Sequence, residues 1–302
     1  MSKVHWLALS AISGIGGATA RKLLENLGSV EAIFDAPDEE LLAIPRITRD
    51  VVTRMRSISL DALEEELASL YDEGFQTLTW DDDAYPENLR PLHDAPPVLF
   101  MRGEILPEDA AAVAIVGTRE ASRRGAAIAE RLARELAQRG LAVVSGLALG
   151  IDTAAHRGAL GAETGRTLAV LGSGLRSIHP RENRKMAEEI VRRGALLSEL
   201  HPNSPPRGPS LMARDRIISG LSRAVIVVEA QEKSGSLDTA AKAKRQGRVV
   251  FAVPGSPGTE LLLAQGAEWL EPETADFDAL AQRIPAEPQG RSVNTAQLGL
   301  WG

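Results

Sequence analysis

The chain has 302 residues, of which 44% are hydrophobic and 25% are charged, so it is long enough to bury a complete core and to divide into two domains. This composition excludes a globally disordered chain, and the absence of cysteine excludes disulfides, thiolate metal sites and cysteine nucleophiles. No apolar run approaches the ~20 residues that span a bilayer, and the first residues lack the layout of a signal peptide. We therefore expect a cytoplasmic protein.

The formal net charge is −7, which argues against a protein that binds nucleic acid over its whole surface. The charge is unevenly distributed along the chain. Residues 61–109 contain 14 acidic residues and two arginines, whereas residues 181–216 contain eight Lys/Arg and five Asp/Glu. A site for a polyanion is therefore expected in the second half of the chain.

Residues 5–56 have a helical pattern that is interrupted by a glycine turn at 13–17, with the sequence SGIGG. This pattern is typical of a helix-hairpin-helix, in which the turn exposes backbone amides to a DNA phosphate. A degraded second copy follows at 44–48, where Arg46 and Thr48 stand in the glycine positions. The alternative is a small helical bundle that packs on a neighbour and needs its glycines only for the turn.

An acidic segment separates this helical region from the rest of the chain. Residues 61–73 are predicted to form an amphipathic helix that ends at Gly74, and a short strand follows at 76–80. Three consecutive acids at 81–83 could hold a metal ion, but no further ligand stands at a suitable spacing. A solvated turn is therefore favoured there, and no metal is expected.

From residue 113 onwards, apolar β-rich runs alternate with segments of helical length. The runs lie at 113–116, 142–145, 167–171, 195–198, 224–229 and 249–253. Strands that are apolar on both faces and separated by helices predict a mostly parallel sheet covered by helices on both faces. We predict an α/β fold with a helical domain at 1–60, an α/β domain at 61–280 and a linker-like tail at 281–302.

Ligands bind to such sheets at the carboxyl ends of the strands. The residues that follow the first two strands are Gly117, Thr118 and Arg119, and then Ser145, Gly146, Leu147 and Gly150. The second turn leads into a helix that begins near Asp152. Strand–turn–helix geometry leaves backbone N–H groups free to hold an anion, so these two turns are expected to frame one phosphate-sized pocket.

Further cations and hydroxyl groups follow the later strands. They are Arg207, Arg214 and Arg216 after the fourth strand, the turn Ser234, Gly235 and Ser236, and Lys242, Lys244 and Arg245 on the next helix. Hydroxyl–glycine turns and arginines bind phosphates, and arginines also stack on bases. Several such groups in a row favour an extended single strand over one small phosphate. The alternative is that the arginines pair with Glu199, Asp215 and Glu229 in a polar layer.

Other chemistries lack their motifs. The first turn lacks the second glycine of the dinucleotide-binding Gly-x-Gly-x-x-Gly, and neither a phosphate loop nor a Gly-x-Ser-x-Gly nucleophile elbow is present. The five histidines show no metal-binding spacing. No cofactor is therefore expected.

A series of runs between about residues 85 and 270 has a familiar form. They are IVGTR at 115–119, SGLALGID at 145–152, AVLGSG at 169–174, HPREN at 179–183, RDRIISGLS at 214–222, SGSL at 234–237 and FAVPG at 251–255. With these runs the chain resembles the DNA-processing protein A (DprA/Smf) family.

The resemblance implies an extended Rossmann-like domain preceded by a small all-α domain of the SAM or helix-hairpin-helix type. It implies a homodimer that binds single-stranded DNA and loads the recombinase RecA during natural transformation or DNA repair, with no enzymatic activity. By position, the family's DNA pocket falls on Arg119, the turn at 145–150, the segment 207–216 with Leu211, and the turn at 234–236. The dimer and recombinase face falls on Leu261, Leu262 and Leu263.

The chain departs from the family pattern at a few positions. Asp215 stands where asparagine is usual and Asp238 where the family has an aliphatic residue, and both place negative charge near the expected phosphate track. Leu211 and Met212 replace a Phe-Pro pair, which removes an aromatic side chain that could stack on a base.

Two rival functions are compatible with this type of fold. Residues 254–260 (PGSPGTE) imitate the opening of the motif of nucleoside-monophosphate phosphoribohydrolases. Leu262, however, takes the place of their catalytic glutamate, so the sugar cation would lack its stabilising carboxylate. A protein-interaction scaffold is the other rival, and it would show no salt-dependent binding to oligonucleotides.

Overall fold

A computed structural model describes residues 3–285 of the chain, and these residues form two compact units. The helical unit comprises the residues up to Tyr85 together with Arg90–Phe100, and the sheet unit comprises Pro86–Leu89 and the residues from Met101 onwards. The domain boundaries at residues 60 and 280 remain a prediction. None of the helices between residues 3 and 285 is long and apolar enough to cross a membrane.

The helical unit is built from short capped helices. They are α1 (Lys3–Ala11), α2 (Gly17–Leu27), α3 (Val30–Asp35), α4 (Asp38–Ala43), α5 (Arg49–Ser57) and α6 (Leu60–Asp72), followed by strand β1 (Gln76–Thr79). Ser29, Thr48 and Ser59 each accept a hydrogen bond from the amide three residues later, which starts α3, α5 and α6. The three acids at 81–83 belong to a turn that is fixed internally. Asp82 accepts from the Thr79 amide and pairs with Lys3 at 2.9 Å.

The two hairpin turns of the helical unit share an unusual backbone conformation. Gly14 has φ +98° and Arg46 has φ +78°, so Arg46 adopts the left-handed conformation for which glycine is suited. Thr48 caps α5 instead of serving as a second glycine. The predicted replacement of glycine by Arg46 in a second hairpin is therefore visible in the backbone.

We expect Arg46→Gly to raise the free energy of unfolding by about 0.5–1 kcal/mol, because a left-handed conformation costs an L-residue about 1–2 kcal/mol and costs glycine almost nothing, less the extra chain entropy of glycine. Urea unfolding of the full chain measures the change. Arg49→Gly is the control, since it removes the same charge from a helical position and should lower stability. A loss of stability in Arg46→Gly would contradict the interpretation of this turn.

The chain finally enters the sheet unit along β2 (Val98–Gly103), and strands and helices then alternate. The strands are β3 (Ala112–Val116), β4 (Ala142–Ser145), β5 (Thr167–Val170), β6 (Gly194–Ser198), β7 (Ala224–Val227), β8 (Val249–Ala252) and β9 (Glu268–Trp269). The helices are α7 (Arg123–Gln138), α8 (Ile151–Leu160), α9 (Arg184–Arg193), α10 (Gly208–Ala213), α11 (Asp215–Leu221), α12 (Gly235–Arg245), α13 (Pro257–Ala264) and α14 (Phe277–Arg283). The predicted α/β class is confirmed.

Strands β3 to β9 lie in the order β6-β5-β4-β3-β7-β8-β9, and each neighbouring pair is parallel. The chain moves outwards from β3 in one direction as far as β6, and then returns to the other side of β3 to form β7. The order therefore reverses between β3 and β7, and such a switch point opens a crevice at the carboxyl ends of the two strands.

The strands are apolar because helices pack around the sheet. Every residue of β3, β4, β5, β6 and β7 is buried, as expected for strands with both faces covered. On α7, Ala129, Leu132 and Leu136 are completely buried, so one face of this helix closes the core. The predicted tail starts within α14, and residues 286–302 lie outside the described residues.

Candidate functional site

A cavity of about 540 Å³ opens at the carboxyl ends of β3 and β7, and is called the β3–β7 pocket below. It is lined by the turn after β3, by α10 and α11, and by the loop that enters α12. It brings together eight of the residues predicted from the sequence: Gly117, Thr118, Arg119, Leu211, Arg214, Ser234, Gly235 and Ser236. The other predicted residues lie outside its lining: Ser145, Gly146, Leu147, Gly150, Arg207, Arg216 and Lys242.

Backbone hydrogen bonds fasten the turn after β3. The Thr118 amide donates to the Glu229 carbonyl at 2.7 Å, and the Thr118 carbonyl accepts from the Ile151 amide at 3.2 Å. Gly150 has φ +78°, and a Cβ atom there would lie 2.4 Å from the Thr118 carbonyl oxygen. Only glycine allows this close approach of the two turns, so Gly150 positions the backbone of Arg119 although it is not part of the pocket lining.

A carboxylate of the chain itself occupies the start of α7. Glu229 accepts hydrogen bonds from the Ser122 amide at 3.0 Å and from the Ser122 hydroxyl at 2.9 Å, and Ser122 caps α7. A dinucleotide-binding Rossmann domain places its pyrophosphate at the start of the helix that follows its first strand. Glu229 fills that place here, which agrees with the missing glycine motif.

The turn after β4 is also used internally. Asp152 accepts from the Gly146 amide at 3.1 Å and from the Ala148 amide at 3.4 Å, so these two amides are not free for an anion, contrary to the sequence-based expectation. Ser145 is buried and donates to the Ile115 carbonyl. Leu147 is completely buried with φ +58°. The polar groups of the turn after β4 are therefore bonded within the protein.

Two of the predicted arginines form ion pairs. Arg214 is 6% exposed, its Nη1 donates to the carbonyls of Gly146 and Val170 at 2.6 and 2.7 Å, and its Nε lies 2.9 Å from Asp215. Arg216 forms a bidentate pair with Glu199 at 2.7 and 2.6 Å. The polar layer considered as the alternative therefore describes Arg214 and Arg216.

The remaining predicted groups include both paired and exposed side chains. Lys242 pairs with Asp238 one turn earlier on α12 and donates to the Met212 carbonyl, whereas Arg207 is exposed at the start of α10. Ser234 and Ser236 are joined through their hydroxyl groups at 2.8 Å. The first N–H groups of a helix lack acceptors within the helix, so the start of α12 offers donors to the pocket.

Two cations at the pocket are exposed and form no ion pair with any acid among residues 3–285. They are Arg119 and Lys233. Sequence reasoning missed Lys233, although its place directly before the turn at 234–236 could have indicated it. Apolar side chains accompany them: Met212 lines the pocket and is 56% exposed, and Leu149, which follows the lining residue Ala148, is 42% exposed.

Burial shifts the pKa of three groups near the pocket. It raises the pKa of Asp152, against the opposing charge of Arg214. It raises the pKa of Asp215 to about 6, again against Arg214. It lowers the pKa of His156 to about 3, and Arg214 adds to this effect. His156 is therefore neutral at physiological pH and provides no charge for an anion.

The packing of α13 reduces the exposed apolar area of the predicted dimer face. Leu261 is 41% exposed, Leu263 is half-buried, and Leu262 is only 4% exposed because it packs inwards. Leu262 therefore provides no side-chain surface for a partner. An apolar contact at this helix depends on Leu261 and Leu263.

The strand order and the pocket at the switch point define the class: this is a Rossmann-like α/β protein with a pocket at the carboxyl edge of its sheet. Residues 76–281 match the family described as DNA recombination-mediator protein A, and residues 7–57 match the SAM-like helix-hairpin-helix tandem. The chain belongs to the DNA recombination-mediator protein A (DprA/Smf) family. The family resemblance and the helix-hairpin-helix prediction are confirmed.

Individual relatives agree with this assignment. The chain is 40% identical over 228 residues to DNA processing protein DprA of Bacillus subtilis (strain 168), covering 73% of this chain and 76% of the relative. It is 37% identical over 269 residues to protein Smf of Escherichia coli (strain K12), covering 88% of this chain and 69% of the relative.

Two solved structures are similar to the chain. The X-ray structure of DNA processing protein A from Streptococcus pneumoniae matches with a TM-score of 0.77 and 34% identity, over 93% of this chain and 99% of that chain. A structure of DNA processing protein A from Helicobacter pylori, which concerns its single-stranded DNA binding mode, matches with a TM-score of 0.63 and 32% identity, over 70% of this chain and 97% of that chain.

Proposed function

We propose that the β3–β7 pocket binds single-stranded DNA. The observation that carries this proposal is the combination of two unpaired cations, Arg119 and Lys233, with the donors at the start of α12 and an apolar lining from Val116, Leu211 and Ile218. Cations and N–H donors suit phosphates, and apolar surface suits an unstacked base. The similarity to the Helicobacter pylori protein supports the same ligand.

A single strand fits this pocket better than a duplex does. The pocket is a recess at the edge of the sheet, and a base must leave its stack to enter it, which costs a few kcal/mol in a duplex and much less in a single strand. Contacts to phosphates and to base faces do not read base edges, so binding should tolerate changes of sequence.

Fluorescence anisotropy with single-stranded and double-stranded oligonucleotides across a salt series tests the proposal. We expect tighter binding of the single strand and a linear fall of log affinity with log salt concentration. Equal affinity for a duplex, or binding that does not depend on salt, would contradict it. The second result would favour the scaffold alternative.

We further propose that the protein acts in the cytoplasm without enzymatic activity and loads RecA onto DNA in natural transformation or repair. The chain's relationship to a family of recombination mediators supports this role. RecA assembly on a strand already covered by a single-strand-binding protein should be faster when this protein is present. Unchanged assembly would contradict the loading role.

The phosphoribohydrolase alternative has less support. The position of its catalytic carboxylate is held by Leu262, and the nearby Glu260 accepts a hydrogen bond from the Gly255 amide at 2.8 Å. Sustained release of adenine from AMP would favour this enzyme over our proposal.

We propose that the protein forms a homodimer through α13, and this makes a specific prediction. Leu261→Asp and Leu263→Asp should each convert a dimer to a monomer, because an unpaired charge in an apolar interface is costly to bury. Analytical ultracentrifugation measures the change. Leu262→Asp is not a suitable variant, because Leu262 belongs to the core of its own unit. A dimer that persists in both variants would contradict the placement.

A further inference from the structure

The charged side chains that line the β3–β7 pocket balance one another. Arg119, Lys233 and Arg214 contribute three positive charges, and Glu120, Asp152 and Asp215 contribute three negative charges. Glu120 is exposed to solvent, whereas Asp152 and Asp215 are 5% and 7% exposed. Charges in a buried setting interact more strongly than solvated ones. The two buried carboxylates therefore oppose a bound phosphate more than Glu120 does.

A single cation serves both buried carboxylates. The Nε atom of Arg214 lies 2.9 Å from Asp215, and the same guanidinium interacts electrostatically with Asp152. Asp152 also accepts hydrogen bonds from two backbone amides in the turn after β4, and these bonds oppose the rise in pKa that burial causes. The charge of Asp152 adds to the effect of burial in raising the pKa of Asp215, so Asp215 is taken as the carboxylate of this pair that binds a proton.

The groups that face Asp215 come from several elements. Its own helical region supplies Arg214, α8 supplies Asp152, and α12 supplies Asp238 and Lys242, which pair with each other. The next residue, Arg216, is bound to Glu199. His156 on α8 stays neutral because burial lowers its pKa to about 3. Burial is the largest effect on Asp215, and it raises the pKa of this carboxyl to about 6.

We propose that Asp215 sets the affinity of the β3–β7 pocket for nucleic-acid phosphates, and that binding of the strand is accompanied by uptake of a proton on its carboxylate. The inference rests on the proposed binding of single-stranded DNA. Solvent supplies the proton, which forms an O–H bond on Asp215 and removes one negative charge from the pocket. A protonated carboxyl can also donate a hydrogen bond to a phosphate oxygen, whereas a carboxylate only accepts.

The direction of the pH dependence follows from linkage. A bound phosphodiester adds negative charge near Asp215, so the pKa of this carboxyl is higher in the complex than in the free protein, where it is about 6. Affinity therefore rises as the pH falls from the pKa of the complex towards that of the free protein, and it levels off below. If the two differ by about one unit, the affinity rises about tenfold in total.

The experiment compares the full chain with Asp215→Asn and with Glu120→Gln. Affinity for a homothymidine strand without terminal phosphates is measured by anisotropy at constant ionic strength between about pH 5.5 and pH 8, a range that spans the titration. The strand itself does not titrate there. Glu120→Gln is the matched control, because it removes the same charge from an acid that also lines the pocket but is exposed, so that solvent screens its charge from Asp215.

Asp215→Asn should bind about tenfold more tightly than the original chain near pH 7.5 and should lose most of the rise at lower pH. Glu120→Gln should keep the pH profile of the original chain. If Asp215→Asn keeps that profile as well, the assignment is wrong.

Calorimetry of the unaltered chain gives a second test that does not depend on a variant folding correctly. Titrations near pH 6.5 in two buffers of different ionisation enthalpy should show uptake of a fraction of a proton on binding. Zero uptake would overturn the inference while leaving the binding of DNA intact. Absence of binding at every pH would instead overturn the proposed function.

Discussion

Replacing Arg119 with alanine should weaken the binding of a single-stranded oligonucleotide by about tenfold and lower the slope of log affinity against log salt concentration by about 0.7. The guanidinium is exposed at the pocket and pairs with no acid among the described residues, so its charge is available to a phosphate. Loss of one phosphate contact reduces the number of counterions that are released on binding. Anisotropy titrations at several salt concentrations measure both quantities.

Arg192→Ala is the matched control for this variant. Arg192 is also exposed, but it lies in the last turn of α9, directly before β6 begins, and therefore at the opposite edge of the sheet. Its removal changes the net charge equally and should change affinity less than about twofold, because exposed charges farther apart than about 10 Å are screened. An equal effect of the two substitutions would show that Arg119 acts only through net charge.

Replacing Gly150 with alanine should lower the free energy of unfolding by about 3 kcal/mol or more, the largest stability effect that we expect. The backbone at Gly150 has φ +78° and ψ −122°, a region that L-residues rarely adopt. The added Cβ would also lie 2.4 Å from the Thr118 carbonyl oxygen and 2.6 Å from that of Arg119. Both neighbours are backbone atoms, so the clash cannot be relieved by turning a side chain.

Gly208→Ala is the control for Gly150→Ala. Gly208 is the first residue of α10, its φ lies outside the positive range, and no heavy atom would lie within 4 Å of an added Cβ. Its stability should change by less than about 0.5 kcal/mol. Urea unfolding of both variants decides the matter. A Gly150→Ala variant as stable as the Gly208→Ala variant would show that the two turns are not held as described.

The architecture could be predicted because strands with both faces covered have a distinct composition. The runs at 113–116 and 224–228 are apolar throughout, and the helices between successive runs have the length that a parallel crossover requires. The position of the pocket followed from the same pattern, since loops at the carboxyl ends of parallel strands meet at one edge. Gly117, Arg119 and Ser234 were found in this way.

The sequence offered the pairing of charges as an alternative but could not decide which arginines are paired, because pairing depends on distances in space. Glu199 lies 17 residues before Arg216 in the chain, and only the packing of α11 beside the end of β6 brings the two side chains together. The sequence could not separate this paired arginine from the unpaired Arg119. The three leucines of α13 illustrate a similar limit. Successive residues of a helix point in directions about 100° apart, so only the packing of α13 in the folded protein shows that Leu262 faces inwards.

The Glu229 carboxylate has a consequence for specificity inside a cell. On a Rossmann-like fold, free donors at the start of the helix that follows the first strand can hold the pyrophosphate of a dinucleotide coenzyme. In this protein the Glu229 carboxylate occupies that position and accepts two hydrogen bonds from Ser122. A dinucleotide coenzyme therefore meets donors that are already used at the start of α7, and we expect the protein to discriminate against such coenzymes.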